Sequence, residues 1–385
     1  MIVVLADDLT GAAELGGIGL RYNLDIEINM SVNPQSKANF LIVSTDTRSM
    51  SSDNARVEAA KAIEKVQQLK PDIIFKKVDS VLRGHILPEL TAQLEQLHLH
   101  KALLVPANPA LGRTLTKGTY YIDDKPIHLS GFSKDPEFAI KSSSVKEMLH
   151  ANGTPVHVIN HQETIPEEGI VVGEAKTTSD LKAWASKIEK DTLIAGAAGF
   201  FTAILDTLHT ERKVEIETEE TAFGKPALFV CGTAFGKSVE AIKKVKKKGG
   251  PVSYMPNEIV SNINPADYHY QKWADEVVAL LATHGRAIIA INEESTKDMT
   301  VSTGDLRVKT AQAVECILDK IYIRELLVEG GSTASTIIKK LGFNRFFPIR
   351  ELMPGVIRMS VEGKDDFYLT LKPGSYDWPA NIWKF

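Results

Sequence analysis

Short apolar runs alternate along the first half of the chain with polar turns and amphipathic stretches. Ile2-Val3-Val4-Leu5 leads into Asp7-Asp8, Phe40-Leu41-Ile42-Val43 into Ser44-Thr45-Asp46-Thr47-Arg48, Ile73-Ile74-Phe75 through Lys76-Lys77-Val78 into Asp79-Ser80, and Ala102-Leu103-Leu104-Val105 into Pro106-Ala107-Asn108-Pro109. Unbroken aliphatic runs suit strands covered on both faces of a parallel sheet, and the helical stretches between them supply the crossovers that parallel strands need. The clearest helix is predicted over Ile86 to Leu97, with Pro88 in its first turn and Leu87, Leu90, Leu94 and Leu97 on one face. Each strand thereby delivers its polar residues to one edge, where ligands of open α/β sheets bind.

Two later runs, Ile170 to Gly173 and Thr192 to Gly196, extend the pattern, with a helix over Leu181 to Ile188 between them. Glu211 to Lys225 then breaks it, being charged, rich in Glu and Thr and without helical periodicity, so a domain boundary is expected there. A second βα pattern starts at Pro226 to Val230 and continues through Ala287 to Ile291 and Glu325 to Val328. The chain closes on a hairpin of Val356 to Ser360 and Phe367 to Leu371, separated by Glu362 to Asp366. The expected architecture is α/β, two domains over 1–215 and 222–385 with mainly parallel sheets.

Length and composition, 385 residues with 43% hydrophobic and 24% charged, are those of a globular chain able to bury a core in each domain. A net charge of -4 gives no general attraction to nucleic acid or an acidic membrane. The basic run Lys243 to Lys248 reads as the solvated end of a helix. Two cysteines, Cys231 and Cys316, suit neither a disulfide scaffold nor a zinc site, and the histidines show no metal spacing. The opening apolar run is too short for a signal peptide or a membrane span, so a cytoplasmic protein is expected, with self-association into a homo-oligomer left open.

Asp7 and Asp8 leave a strand just before Thr10-Gly11-Ala12-Ala13 opens a helix. One carboxylate suffices to cap that helix, and the second is then available to a ligand. Arg83, in Asp79-Ser80-Val81-Leu82-Arg83-Gly84-His85, stands near a helix N-terminus, where a cation is better explained if an anion lies between them; pairing with Asp79 or Asp8 as scaffolding is the other reading. Arg113 follows on a loop at the same edge. In the second half, Cys231-Gly232-Thr233-Ala234-Phe235-Gly236-Lys237-Ser238 is one residue short of a P-loop. Glu329-Gly330-Gly331-Ser332-Thr333 precedes a helix expected from about Ser335 to Leu341, with Ser332 or Thr333 free to cap it or to touch phosphate. With Gly355, Lys372, Gly374 and Ser375, these turns suggest a nucleotide site of backbone amides and one lysine.

At these residues the chain resembles the four-carbon acid sugar kinase family. Its A-D-D-L-T-G-A appears as Ala6 to Ala12, and its K-x-D-S-T-L-R-G as Lys77 to Gly84 with Val81 in place of Thr. Pro106 to Pro109 with Gly112-Arg113-Thr114, the G-G-x-T-A element at Gly330 to Ala334, Pro354-Gly355-Val356 and Thr370-Leu371-Lys372 follow in family order. The chain departs at His85, where Asn commonly stands, and at Pro373-Gly374-Ser375-Tyr376-Asp377, where S-G-x-F-G commonly follows the lysine.

The resemblance implies a sugar-acid-binding N-terminal domain, an ATP-binding C-terminal domain, and phosphoryl transfer in the cleft between them to an acid such as threonate, erythronate or 3-oxo-tetronate. Asp8, Asp79 and Arg83 are then the catalytic candidates, one of the carboxylates activating the hydroxyl while Arg83 and Arg113 hold the substrate carboxylate. Asp7, Lys77, Ser80, Gly84, Asn108 and Arg113 are the substrate-binding candidates. Gly232, Thr233, Gly330, Gly331, Ser332, Thr333, Gly355, Lys372, Gly374 and Ser375 are the cofactor-binding ones. Mg²⁺ is expected to bridge the ATP phosphates, with no protein ligand singled out. A nicotinamide-dependent sugar-acid dehydrogenase and a non-catalytic acid-sugar binder are the alternatives, though the first βα turn lacks G-x-G-x-x-G.

Overall fold

Every strand expected from the apolar runs forms, within three residues at its ends. The computed structural model describes residues 1–385 apart from 136, 137, 152, 209–222, 233–235, 293 and 296–300. The chain divides into two compact units, Met1–Glu215 and Ile216–Phe385. Most of the charged stretch read as a domain boundary, and Thr233, lie outside the described residues.

The first unit carries β1 (Ile2–Ala6), β2 (Ile26–Asn29), β3 (Phe40–Ser44), β4 (Ile73–Lys77), β5 (Lys101–Val105), β6 (Arg113–Thr116), β7 (Thr119–Ile122), β8 (Lys125–Pro126), β9 (Val156–Ile159), β10 (Gly169–Gly173) and β11 (Thr192–Gly196). Its helices are α1 (Leu9–Leu20), α2 (Ser52–Gln68), α3 (Ile86–Leu97), α4 (Val145–Met148), α5 (Thr178–Ala185) and α6 (Ala198–Leu208). Eight strands run parallel in the order β2-β3-β1-β4-β11-β5-β10-β9, and β6-β7-β8 form a separate antiparallel sheet. Strand β1 lies between β3 and β4, so the chain leaves it toward both sides. That is the switch point at which polar loops diverge and a crevice opens.

Helix α3 spans the residues its periodicity predicts. It buries Ile86, Leu87 and Leu90 in a core with Val78, Leu104 and Val172, each buried Leu contributing about 1.5–3 kcal/mol. Strand β2 escaped sequence reading because its alternate positions are polar. Glu27 is nevertheless buried, accepting hydrogen bonds from Asn29 (2.6 Å) and Ser36 (3.0 Å). Two expectations need correction. Arg113 opens strand β6 rather than riding a loop, because Asn108 and Arg113 exchange backbone hydrogen bonds of 2.8 and 3.1 Å. Helix α5 starts at Thr178, three residues before the predicted Leu181, because Thr177 and Asp180 form a capping box.

The second unit contributes β12 (Ala227–Cys231), β13 (Val252–Tyr254), β14 (Arg286–Ala290), β15 (Glu325–Glu329), β16 (Arg345–Met353), β17 (Val356–Val361) and β18 (Lys364–Lys372). Its helices are α7 (Gly236–Lys247), α8 (Asn257–Val260), α9 (Asp267–His284), α10 (Thr303–Lys320) and α11 (Gly331–Leu341). The order β13-β14-β12-β15-β18-β17-β16 is parallel through β18 and antiparallel beyond it. Strand β12 is the switch point here. The predicted linker Glu362 to Asp366 is mostly strand, with Lys364-Asp365-Asp366 exposed within β18, so their polarity marks exposure rather than a loop. Among the described residues no helix is long and apolar enough to cross a membrane.

Candidate active site

Strands β1 and β4 end side by side, Ala6 in register with Lys77, so the residues after them share one edge. Asp8 caps α1, its Oδ1 accepting from the Gly11 N–H (2.8 Å) and its Oδ2 from the Thr10 hydroxyl (2.6 Å). Arg48, from the loop after β3, joins the two carboxylates. It holds Asp7 with two prongs, at 2.8 and 2.9 Å, and donates to Asp8 at 2.9 Å. All three groups are nine-tenths or more buried. Burial pushes the Asp8 carboxyl up, but Arg48 and Lys77, with the Thr10 and Gly11 hydrogen bonds, hold it below the usual carboxylate range. Lys77 is itself buried, 3.4 Å from Glu14 and bonded to the Val78 carbonyl at 3.1 Å.

The turn after β4 is tight, the Leu82 N–H donating to the Asp79 carbonyl at 3.0 Å. Leu82 takes φ 61° and Gly84 φ 95°. For leucine the left-handed conformation costs about 1–2 kcal/mol, offset by burial of its side chain in the α3 core. At Gly84 a Cβ would lie 3.3 Å from Arg48 Cγ and 3.4 Å from Asp7 Oδ2, so glycine serves both the conformation and the close approach. The turn aims Arg83 back at Asp79, with bonds of 2.8 and 3.1 Å, and across at Asp135, at 2.8 Å. Burial notwithstanding, Arg83 and Arg48 hold the Asp79 carboxyl far below the usual range, and Asp79 in turn raises Arg83.

Arg113 donates to the Ser80 hydroxyl, and Phe132 lies under both Arg83 (5.4 Å) and Arg113 (5.8 Å). The buried Tyr120 of β7 donates to the Ser80 and Pro106 carbonyls, tying the small antiparallel sheet to the loops after β4 and β5. Asn108 is buried beside Arg113 through their backbone pair. Beneath this layer Glu89 of α3 accepts from Lys76 of β4 and from Thr47 (2.9 Å), which fixes α3 against the segment bearing Arg48. Burial raises the Glu89 carboxyl against the pull of Lys76. A hollow of about 560 Å³ opens at the start of α3, lined by Ser52, Asp53, Gly84, His85, Pro88 and His150.

In the second unit Cys231 of β12 is in register with Glu329 of β15, and Glu329 with Lys372 of β18, so the three strands end at one edge. A Cβ on Gly232 would lie 2.6 Å from Thr333 Oγ1, so glycine lets the first two turns close on each other. Helix α11 begins at Gly331, four residues before the predicted start, with Gly330 at φ 92° as its N-cap and no side-chain cap bond. Ser332 and Thr333 therefore lie inside its first turn. The first intrahelical bond runs from the Ala334 N–H to the Gly330 carbonyl, so the preceding backbone amides lack helical partners, a geometry that fits phosphate. Gly355 turns the β16–β17 hairpin beneath Tyr376, Gly374 and Ser375 follow β18, and Lys372 is fully buried. Among the described residues no group of three or more His, Cys, Asp or Glu could hold a metal ion.

Arg48, Asp135, Tyr120 and the Lys76–Glu89–Thr47 cluster were not singled out as site residues in the sequence reading. Arg48 carried a signal, since it follows the strand beside β1. Asp135 carried none, because only the tertiary fold brings it to Arg83.

Comparison with known proteins places the chain in a family. Residues 2–204 match the family model of a sugar-binding N-terminal domain, and residues 228–376 that of a nucleotide-binding C-terminal domain. A D-threonate kinase of Salmonella typhimurium is 24% identical over 92% of this chain and 89% of its own. A 3-oxo-tetronate kinase of Actinobacillus succinogenes is 23% identical over 98% and 96%. A crystal structure from Salmonella typhimurium shares the fold at a TM-score of 0.78, with 16% identity over 98% of this chain and 96% of that one. With both family models matched in order across most of its length, the chain belongs to the four-carbon acid sugar kinases, phosphotransferases that use an alcohol group as acceptor.

Proposed function

We propose that this enzyme transfers the γ-phosphoryl group of ATP to a hydroxyl of a four-carbon sugar acid of the threonate, erythronate or 3-oxo-tetronate type. The observation that carries the reading is the alternating net of carboxylates and guanidinium groups at the β1/β4 switch point, on a chain whose second unit presents the N-terminal end of helix α11 at its own switch point. The first unit supplies side-chain donors and acceptors matched to a carboxylate with neighbouring hydroxyls. The second supplies backbone donors matched to phosphate.

In this reading Asp8 orients the attacking hydroxyl. Its Oδ1 takes one backbone donor and keeps a lone pair for the substrate, whereas Asp79 is clasped by both prongs of Arg83. A carboxylate held so acidic is a weak base. Phosphoryl transfer asks mainly for alignment, the loose transition state drawing little help from early proton removal. Arg113, with one side-chain bond to Ser80, receives the substrate carboxylate together with the outer face of Arg83. The amide end of α11, which begins at Gly331 and Ser332, holds the nucleotide phosphates. Mg²⁺, which neutralises charge between phosphate oxygens, would arrive with the nucleotide.

ADP release measured against a panel of four-carbon acids, with ATP and Mg²⁺, tests this. Turnover with at least one member is expected. Absence of ADP with every acid, or acid-dependent reduction of NAD⁺ or NADP⁺, would overturn it.

A further inference from the structure

Lys372, the one lysine among the residues expected to touch nucleotide, points away from solvent. Its ammonium has three N–H donors. One faces Glu329 Oε2 at 3.3 Å, one the Pro373 carbonyl at 3.1 Å and one the Tyr376 carbonyl at 2.5 Å. No donor remains for a phosphate, and neither Lys372 nor Glu329 is exposed. Trp378 seals the pair, its Nε1 donating to Glu329 Oε2 at 3.2 Å and its ring centred 5.5 Å from the ammonium.

The placement gives the pair a purpose. Cys231, Glu329 and Lys372 are the last residues of three neighbouring strands and stand in one register row, at the edge from which α11 starts. The Gly330 N–H donates to the Lys372 carbonyl at 2.9 Å, so the β15 and β18 turns are joined through backbone as well. We infer that Lys372 is a positioning residue, a buried pin that with Glu329 fixes the Gly330-Gly331 turn and the Pro373-Gly374-Ser375 turn at the spacing the phosphates need, and that it does not itself contact nucleotide. This rests on the reading that those turns hold the nucleotide.

A buried ion pair is costly to break at one end and cheap to replace at both. A phosphate ligand behaves otherwise, its loss persisting whatever becomes of its partner. ADP binding by calorimetry, with Tm alongside, is to be measured on the full chain and on Lys372→Met, Glu329→Gln and the double variant. Each single variant is expected to lower Tm and weaken ADP about tenfold or more, and the double to return both to within about threefold of the unmodified chain's affinity and close to its Tm. A double variant with recovered Tm and ADP binding as weak as that of Lys372→Met would overturn the inference. So would tighter ADP binding by Glu329→Gln, which would mean that a released Lys372 reaches phosphate. If Lys372→Met fails to fold, the other two variants still decide. An unmodified chain that binds neither ADP nor ATP would overturn the nucleotide reading together with the pin, a result distinct from failure of the double variant to recover.

Discussion

The two switch points present different atoms at their edges. At the ends of β1 and β4, side chains do the work, with Asp7, Asp8 and Asp79 interleaved with Arg48 and Arg83, and Arg113 alongside. At the ends of β12 and β15, glycine backbone lines the edge, and the charged pair Glu329–Lys372 is withdrawn into the core. Side chains can distinguish a hydroxyl from a carboxylate, and they titrate. Backbone amides grip any phosphate and do not titrate. Chemical selectivity and pH sensitivity are therefore expected to reside at the first edge, and generic phosphate affinity at the second.

The sharpest way to break this contrast is Asp8→Asn, which keeps the shape of the α1 cap and removes the acceptor charge. A loss of kcat of about 10²–10⁴-fold is expected, with KM for ATP nearly unchanged, measured by ADP release. If Asp79→Asn lowers kcat more than Asp8→Asn, the roles of the two carboxylates are reversed.

Arg113→Ala comes next. A charge-assisted hydrogen bond is worth about 1.5–3 kcal/mol, so KM for the acid should rise roughly ten- to a hundredfold with little change in Tm. Arg83→Ala should differ in kind, lowering Tm as well, because it strands Asp79 and the largely buried Asp135 without their cation. Equal Tm losses for the two variants would show that Arg113 is also scaffolding.

At the second edge, Ser332→Asp places a carboxylate where phosphate is expected. Helix N-termini welcome negative charge, so Tm should hold or rise slightly while KM for ATP increases about tenfold. A variant that leaves KM for ATP untouched would move the nucleotide away from α11.

The same contrast explains what the sequence revealed. Strands and the parallel pattern were legible because fully buried strands leave long aliphatic runs, and β2 and the edge strand β9 were missed where polar residues interrupt them. At the first edge the motif residues could be named singly, since Asp8, Asp79 and Arg83 each follow a readable strand. Their pairing could not, because it depends on Arg48 and on Asp135, 40 residues from Asp8 and 52 from Arg83 along the chain. At the second edge one arrangement was hidden. A lysine after a strand reads as a ligand, and nothing in Thr370-Leu371-Lys372-Pro373 signals that its three donors turn inward.

The smallest expected effect concerns pH, and its sign separates the two edges. Asp79 has a folded-state pKa depressed by Arg83 and Arg48, so it binds fewer protons folded than unfolded. Its contribution to stability is complete above the unfolded value of about 4 and is lost as pH falls below that. Glu329 is raised by burial, so protonation favours its folded form, and its contribution fades instead as pH rises above about 4. Below pH 4, Tm should therefore fall through the first edge. Asp79→Asn, less stable at pH 7, should show a shallower decline of Tm between pH 5 and 3 than the unmodified chain, and Glu329→Gln should leave that acid slope in place. An acid slope abolished by Glu329→Gln and kept by Asp79→Asn would assign the titration to the second edge and reverse the comparison.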